Sequence, residues 1–193
     1  MKSIILNEQQ IEHICKRIAS EIDEKLKGEE KIPVLVGVMK GAMNFMVTLM
    51  KYIKTPIFTD YIRISSYYGT QRSNNVRLLK DISFDCTGRT VILVEDIVDS
   101  GHSMKFLTEH MKLNGAKTVY VCTLIDKAPA REVDVPIHFV GHTMKEIKFI
   151  AGFGLDIYEL ERNVTRINGL RKRVEEAIFS MEFLLTEAGV PGY

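Results

Sequence analysis

The segment Val91–Ser103, with the sequence V-I-L-V-E-D-I-V-D-S-G-H-S, constrains the fold of this chain most strongly. Its first residues, Val91–Val94, are all apolar and too few for a helix of their own, so they predict a strand buried on both faces, as in a parallel sheet. After the segment, Met104, Leu107 and Met111 recur at spacings of three and four, which is typical of a helix. A buried strand, a short polar turn and a helix together indicate an α/β fold.

The turn between this strand and this helix has the residues that suit a phosphate. Gly101 permits a positive φ or a close approach of the backbone to a ligand. Successive backbone N–H groups at such a turn, with the positive end of the helix dipole, favour an anion. The hydroxyls of Ser100 and Ser103 can donate hydrogen bonds to the same oxygens.

Two acidic residues, Glu95 and Asp96, follow the apolar run directly. At the end of a strand they could hold two vicinal hydroxyls, or one hydroxyl and a metal ion. An isolated acidic pair after a strand is more often a helix cap or a solvated edge, but the complete segment favours a binding site. A phosphate site beside a site for a vicinal diol indicates a ribose 5-phosphate.

The segment resembles the phosphoribosyl diphosphate (PRPP) signature of the type I phosphoribosyltransferases. E-D-I-V-D-S-G is similar to the hypoxanthine-guanine branch, because other branches usually lack a carboxylate at the position of Asp99. Ser65 stands where the family often has a lysine, and in this the chain resembles the bacterial-type members. The resemblance covers most of Gln9–Leu170. It implies the type I phosphoribosyltransferase fold, with a mostly parallel, twisted sheet flanked by helices and a small hood lobe from the carboxyl-terminal third.

The resemblance also implies a reaction. The chain would transfer the ribose 5-phosphate group of PRPP to hypoxanthine or guanine, giving IMP or GMP and pyrophosphate, as a purine salvage enzyme that uses Mg²⁺. Two alternatives remain: a phosphoribosyltransferase that prefers xanthine, and a non-catalytic regulator that senses PRPP or nucleotides on the same fold. Regulators often lose groups that are present here, namely Lys40-Gly41, Ser66-Tyr67 and Asp99.

The resemblance assigns roles to individual residues, with Asp99 as the catalytic base or orienter at the imidazole edge of the purine. It implies that PRPP is bound by Glu95, Asp96, Asp99, Ser100, Gly101, His102 and Ser103, and pyrophosphate by Lys40, Gly41 and Arg162. It further implies a cis peptide bond between Met39 and Lys40.

The remaining implied roles concern the purine, the metal and a mobile loop. Lys127 would read the 6-oxo group, Phe149 would stack on the base, and the carbonyl of Ile150 would contact its edge. Asp156 would bind Mg²⁺, which Glu95 and Asp96 could reach through water. Ser66 and Tyr67 match a loop that closes over the site, and Arg131 matches a nearby structural arginine.

The composition is consistent with one globular domain. The chain has 193 residues and 46% hydrophobic content, enough for a single domain over 1–193. The net charge of +1 does not favour nucleic acid or a membrane as a partner. The amino terminus becomes polar too early for a secretory signal, and the few, scattered cysteines fit reduced thiols, so we expect a cytoplasmic protein.

The ends of the chain carry further predictions. Asn7 with Gln10 predicts a capping box, and Val34–Val38, Val119–Leu124 and Pro136–Val140 predict strands. A last helix at about 170–187 has an apolar stripe that extends beyond the family's usual end and consists of Leu170, Val174, Ala177, Ile178, Met181, Leu184 and Leu185. Because that stripe must be covered, and because family members are usually dimers or tetramers, we expect a homodimer or homotetramer.

Overall fold

The computed structural model describes residues 3–66, 76–157 and 160–170. These residues form three α-helices, a short 3₁₀ helix at Ala128–Ala130 and nine strands in a mixed α/β arrangement. In chain order the elements are β1 (Ser3–Leu6), α1 (Glu8–Lys25), β2 (Val34–Met39), α2 (Met43–Met50), β3 (Phe58–Ser66), β4 (Val76–Lys80), β5 (Thr90–Val98), α3 (His102–Leu113), β6 (Thr118–Asp126), β7 (Phe139–Thr143), β8 (Ile150–Ala151) and β9 (Ile167–Gly169).

Within the described residues, six strands form the main sheet, in the order β4-β3-β2-β5-β6-β7. All neighbouring pairs are parallel except β3 and β4. The segment Val91–Val94 is fully buried in β5, and its side chains alternate between two hydrophobic clusters on opposite faces of the sheet. The prediction of a parallel strand buried on both faces is therefore confirmed.

The helices cover these two faces as their apolar stripes require. α1 begins at a capping box in which Asn7 and Gln10 exchange side-chain and backbone hydrogen bonds, as predicted. Its buried side chains pack with those of α2 on one face of the sheet, whereas Met104, Leu107 and Met111 of α3 pack on the other. Among the described residues, no helix has the length and apolarity needed to cross a membrane.

A second, three-stranded antiparallel sheet has the order β1-β9-β8. It corresponds to the predicted small lobe, and β8 and β9 come from the carboxyl-terminal third as expected, but the third strand, β1, does not. The amino-terminal strand β1 pairs with β9, with Ser3 opposite Gly169. A strand of only four residues, two of them exposed, gives little periodic signal, and its pairing depends on a partner at the far end of the chain.

Four strands differ in extent from their predictions, β2 and β6 by one or two residues at an end and β5 and β7 by more. β5 continues through the acidic pair to Val98, because Glu95 and Ile97 pair with Thr123 and Ile125 of β6. β7 begins at Phe139 and not at Pro136, since a proline has no N–H to donate to a neighbouring strand. Tyr67 of the predicted mobile loop and the predicted helix at 170–187 lie outside the described residues, apart from Leu170.

Candidate active site

The phosphate-binding turn predicted from the sequence lies between β5 and α3. Gly101 has φ +93° and caps the helix, and the N–H of Lys105 donates to its carbonyl in the first helical hydrogen bond. The N–H groups in a first helical turn have no partner within the helix, so they are available to an anion. The segments around the turn leave no space for a side chain here, because a methyl group on Gly101 would lie 2.9 Å from Cδ of Arg131.

The segment 127–133, which follows β6, wraps around this turn. Its backbone N–H groups at Glu132 and Val133 both donate to the carbonyl of Ser100. Arg131 donates from Nε to the carbonyl of Asp99 at 3.0 Å, and its Nη2 lies 2.5 Å from Oδ1 of Asp126. The turn is therefore held in shape by its neighbour, as expected of a rigid binding site.

Two predicted site residues meet at the carboxyl ends of β5 and β6. Lys127 Nζ lies 3.2 Å from Oδ2 of Asp99, and the side chains are 10% and 51% exposed. The N–H of Lys127 also donates to the carbonyl of Val98, which fixes the lysine at this edge of the sheet. A buried ammonium beside an accessible carboxylate offers a ligand one donor and one acceptor a few ångströms apart.

Glu95 and Asp96 are only 9% and 7% exposed, although both carry carboxyl groups. Burial raises the pKa of both carboxyl groups, and the negative charge of Asp96 raises the pKa of Glu95 further. The positive charge of Arg162 acts in the opposite direction on Asp96. Buried carboxylates gain stability from hydroxyl donors or a cation, so the pair suits the ribose diol or metal predicted for it.

The predicted pyrophosphate turn follows β2 and contacts Asp96 directly. The peptide bond between Met39 and Lys40 is cis, as the resemblance implied. A methyl group on Gly41 would lie 2.2 Å from Oδ2 of Asp96, so only glycine fits beside this carboxylate. Lys40 itself is exposed at the start of the turn.

Asp156 and Arg162, the predicted metal and pyrophosphate residues, form an ion pair. Arg162 Nη2 lies 2.9 Å from Oδ1 of Asp156, and its Nη1 donates to the carbonyl of Gly154 at 2.7 Å. Within residues 3–66, 76–157 and 160–170, no three acidic, histidine or cysteine side chains are grouped as metal ligands. The donors present are carboxylate oxygens, which fit a Mg²⁺ ion that keeps several waters and takes its other ligands from substrate phosphates.

The predicted purine-binding residues are divided between the two sheets. Lys127 lies at the end of β6 in the main sheet, whereas Phe149 is half-buried directly before β8 of the small sheet. Ile150 is buried and pairs with Gly169 of β9. Ser66 is the last residue of β3, where the predicted mobile loop begins.

Three contacts at this site were not predicted from the sequence. His102 Nε2 lies 3.1 Å from Oε2 of Glu132, which joins the phosphate turn to the segment around it. The carbonyl of Arg162 accepts a hydrogen bond from Asn44, and Gly154 packs on Gly41. Each contact joins residues distant in the chain, so no local pattern indicates it.

Comparison with known proteins gives consistent results. Residues 1–157 match the family model described as the phosphoribosyl transferase domain. A protein of Streptococcus mutans named hypoxanthine-guanine phosphoribosyltransferase is 37% identical over 175 residues, which is 90% of this chain and 96% of that protein.

Solved structures agree with these matches. A hypoxanthine phosphoribosyltransferase from Staphylococcus aureus superimposes with a TM-score of 0.84 at 32% identity, over 90% of this chain and 94% of the other. A hypoxanthine phosphoribosyl transferase from Trypanosoma cruzi, studied for the role of its C-terminal region on oligomeric state and enzymatic activity, gives 0.85 at 27% identity, over 92% and 95%.

Proposed function

This chain belongs to the phosphoribosyltransferase family, and from that membership we propose that it transfers the ribose 5-phosphate group of PRPP to hypoxanthine or guanine. The products are IMP or GMP and pyrophosphate, so the enzyme works in purine salvage. The names of its relatives support this reaction. The observation that carries the proposal is the ion pair between Lys127 and Asp99, which lies beside the predicted phosphate-binding turn at the start of α3.

The ion pair suits the edge of a 6-oxopurine. Lys127 donates to the 6-oxo group, and Asp99 accepts the proton that the imidazole edge loses as its nitrogen attacks the sugar. A 6-aminopurine would present a donor to the buried ammonium, and two facing donors with no acceptor are costly. Lys127 therefore selects the base, and Asp99 assists the removal of its proton.

The sugar is held between the phosphate turn and the acidic pair. The 5-phosphate accepts hydrogen bonds from the N–H groups and hydroxyls between Ser100 and Ser103, while Glu95 and Asp96 accept from the ribose hydroxyls. Positive charge develops on the sugar as the bond to pyrophosphate breaks, as in glycoside cleavage. Nearby carboxylates, once ionised, stabilise that charge.

The leaving pyrophosphate is bound on the side of Lys40, Gly41 and Arg162. Asp156, together with the oxygens of PRPP, would hold Mg²⁺, which would supply neutralising charge for the leaving group. Arg162 shields the carboxylate of Asp156 and contributes positive charge of its own.

The buried cysteines bear on the proposed cellular setting. Cys15, Cys86 and Cys122 are buried free thiols, and burial raises the pKa of Cys15 to about 12, so it is a poor nucleophile. Reduced thiols of this kind support a cytoplasmic location for the enzyme. A homodimer or homotetramer is supported by the apolar stripe that the sequence predicts beyond Leu170.

A coupled assay for pyrophosphate release tests the reaction. With PRPP and Mg²⁺, hypoxanthine and guanine should each give release, adenine should give little, and EDTA should abolish release until Mg²⁺ is restored. The rate with xanthine, measured in the same way, tests the alternative that the enzyme prefers this purine. Release that is independent of the purine, or rates that persist without a divalent metal, would contradict the proposal.

A further inference from the structure

Asn44 lies in the first turn of α2, directly after the turn that contains Lys40 and Gly41. Its side-chain Nδ2 donates to the carbonyl of Arg162 at 2.7 Å, in a partly buried position. This hydrogen bond joins the start of α2 to a loop more than a hundred residues later in the chain. None of the residue roles considered above requires an asparagine at this position.

The two segments are in close contact beside that hydrogen bond. Gly154 has φ +104°, and a methyl group on it would lie 2.1 Å from the carbonyl oxygen of Gly41. The same methyl position would be 3.9 Å from Cβ of Asn44. The backbone of the turn after β2 therefore lies against the loop that precedes Asp156, and small changes at this contact would move one relative to the other.

The carbonyl that Asn44 bonds belongs to a compact ring of interactions. It also accepts the N–H of Gly154 at 3.0 Å, while the guanidinium of Arg162 donates back to the carbonyl of Gly154 at 2.7 Å. The guanidinium then pairs with Asp156 at 2.9 Å. The position of Arg162, and through it of Asp156, thus depends on where the carbonyl of Arg162 is held.

We propose that Asn44 is a positioning residue, which keeps Arg162 and Asp156 aligned with the turn at Lys40-Gly41 so that metal-bound pyrophosphate is held from both sides. This rests on the proposed function, since it assumes that the two segments share that ligand. Asn44 acts through the carbonyl of Arg162 and need not touch the ligand. Its loss should therefore weaken the binding of PRPP and pyrophosphate without affecting the purine.

The test is Asn44→Leu, which keeps a similar volume and removes the donor. The expected result is a rise of about 2- to 10-fold in the KM for PRPP and in the calorimetric Kd of the Mg²⁺–pyrophosphate complex, as for one ordinary hydrogen bond. The KM for hypoxanthine and the unfolding midpoint should stay near those of the wild type. Thr48→Val, one helical turn later and also half-buried, is the matched control and should change none of these values.

Several outcomes would overturn the inference. These are equal pyrophosphate affinity in the wild type and the variant, no pyrophosphate binding by the wild type, or a uniform rise in all constants with a lowered unfolding midpoint. If Asn44→Leu does not fold, Asn44→Ser carries the same test, because its hydroxyl is too short to reach the carbonyl. The calorimetric measurement does not need turnover. Its result therefore tests the role of Asn44 even if the protein does not catalyse the proposed reaction.

Discussion

At the scale of single residues, the site depends on charges that are costly to bury. The buried side chain of Lys127 lies against Asp99, so the lysine keeps a partner before any substrate arrives. Asp99 remains accessible, which is what a group needs if it is to receive a proton from a ligand. The two residues are predicted to act on the same purine edge but through different atoms.

The role of Asp99 predicts a specific kinetic change. In Asp99→Asn, the phosphate turn and its N–H groups remain, so the KM for PRPP should change little. The proton acceptor is lost, and kcat should fall by roughly 10²–10⁴-fold, the usual effect of removing a general base. Steady-state kinetics with both substrates measure this, and wild-type turnover in the variant would rule the role out.

The burial of Glu95 predicts how stability depends on pH. Its raised pKa means that the folded protein keeps this proton to a higher pH than the unfolded chain does. The contribution of Glu95 to the stability of the ligand-free protein therefore falls as the pH rises above the ordinary carboxyl pKa of about 4.3. Glu95→Gln removes this loss. The difference in unfolding midpoint, variant minus wild type, should therefore be more positive at pH 8 than at pH 5.

The same variant should bind PRPP more weakly, because a neutral amide is a poorer partner for the ribose hydroxyls and a nearby cation. Thermal unfolding without ligand, at both pH values, measures the first effect, and PRPP titration measures the second. A difference in midpoint that is independent of pH would show that Glu95 is not the group responsible.

At the scale of elements, local patterns predicted much of the fold. The capping box at Asn7, the buried strand at Val91–Val94 and the stripe of α3 all follow from short-range rules, and each was confirmed. β1 and the contact between Gly41 and Gly154 were not predicted, because they depend on pairing between distant parts of the chain. The grouping of site residues at one edge of the sheet follows from parallel strands, but their hydrogen bonds do not.

The segment 127–133 gives a prediction at this scale. Lysine at position 131 keeps the charge, but it cannot reproduce the fixed set of guanidinium bonds to the carbonyl of Asp99 and the carboxylate of Asp126. In Arg131→Lys, the KM for PRPP should rise roughly 3- to 30-fold, for one or two lost hydrogen bonds. Steady-state kinetics with varied PRPP measure this change.

Arg17 offers a matched control for Arg131. It bonds the carboxylate of Glu21 and the carbonyls of Val140 and Gly141, so it makes the same kinds of bond away from the phosphate turn. Arg17→Lys should lower the unfolding midpoint at most and leave the KM for PRPP unchanged. An equal effect of the two variants on that KM would mean that Arg131 contributes only general stability.

At the scale of the whole molecule, the question is how the apolar face predicted beyond Leu170 is covered. The described residues finish at Leu170, which is buried and donates its N–H to the carbonyl of Phe149. The sequence beyond it predicts an amphipathic helix whose apolar face needs a cover. A symmetric contact with a second subunit is a common solution.

Truncation after Leu170 tests this prediction while leaving the contact of Leu170 intact. Light scattering should show a smaller assembly than the full chain forms, and the pyrophosphate assay should show much of the activity per site retained. Ile178→Asp in the full chain should have the same effect, because it places a charge on the predicted apolar face. An unchanged assembly in both variants would place the helix on its own domain.

The most direct test of the account is to identify the products of one reaction mixture. The protein is incubated with PRPP, Mg²⁺ and hypoxanthine, and the mixture is analysed by mass spectrometry alongside the pyrophosphate measurement. The account predicts IMP and pyrophosphate in equal amounts, and neither product when hypoxanthine or PRPP is omitted. Pyrophosphate without IMP, or tight binding of PRPP with no product at all, would contradict it.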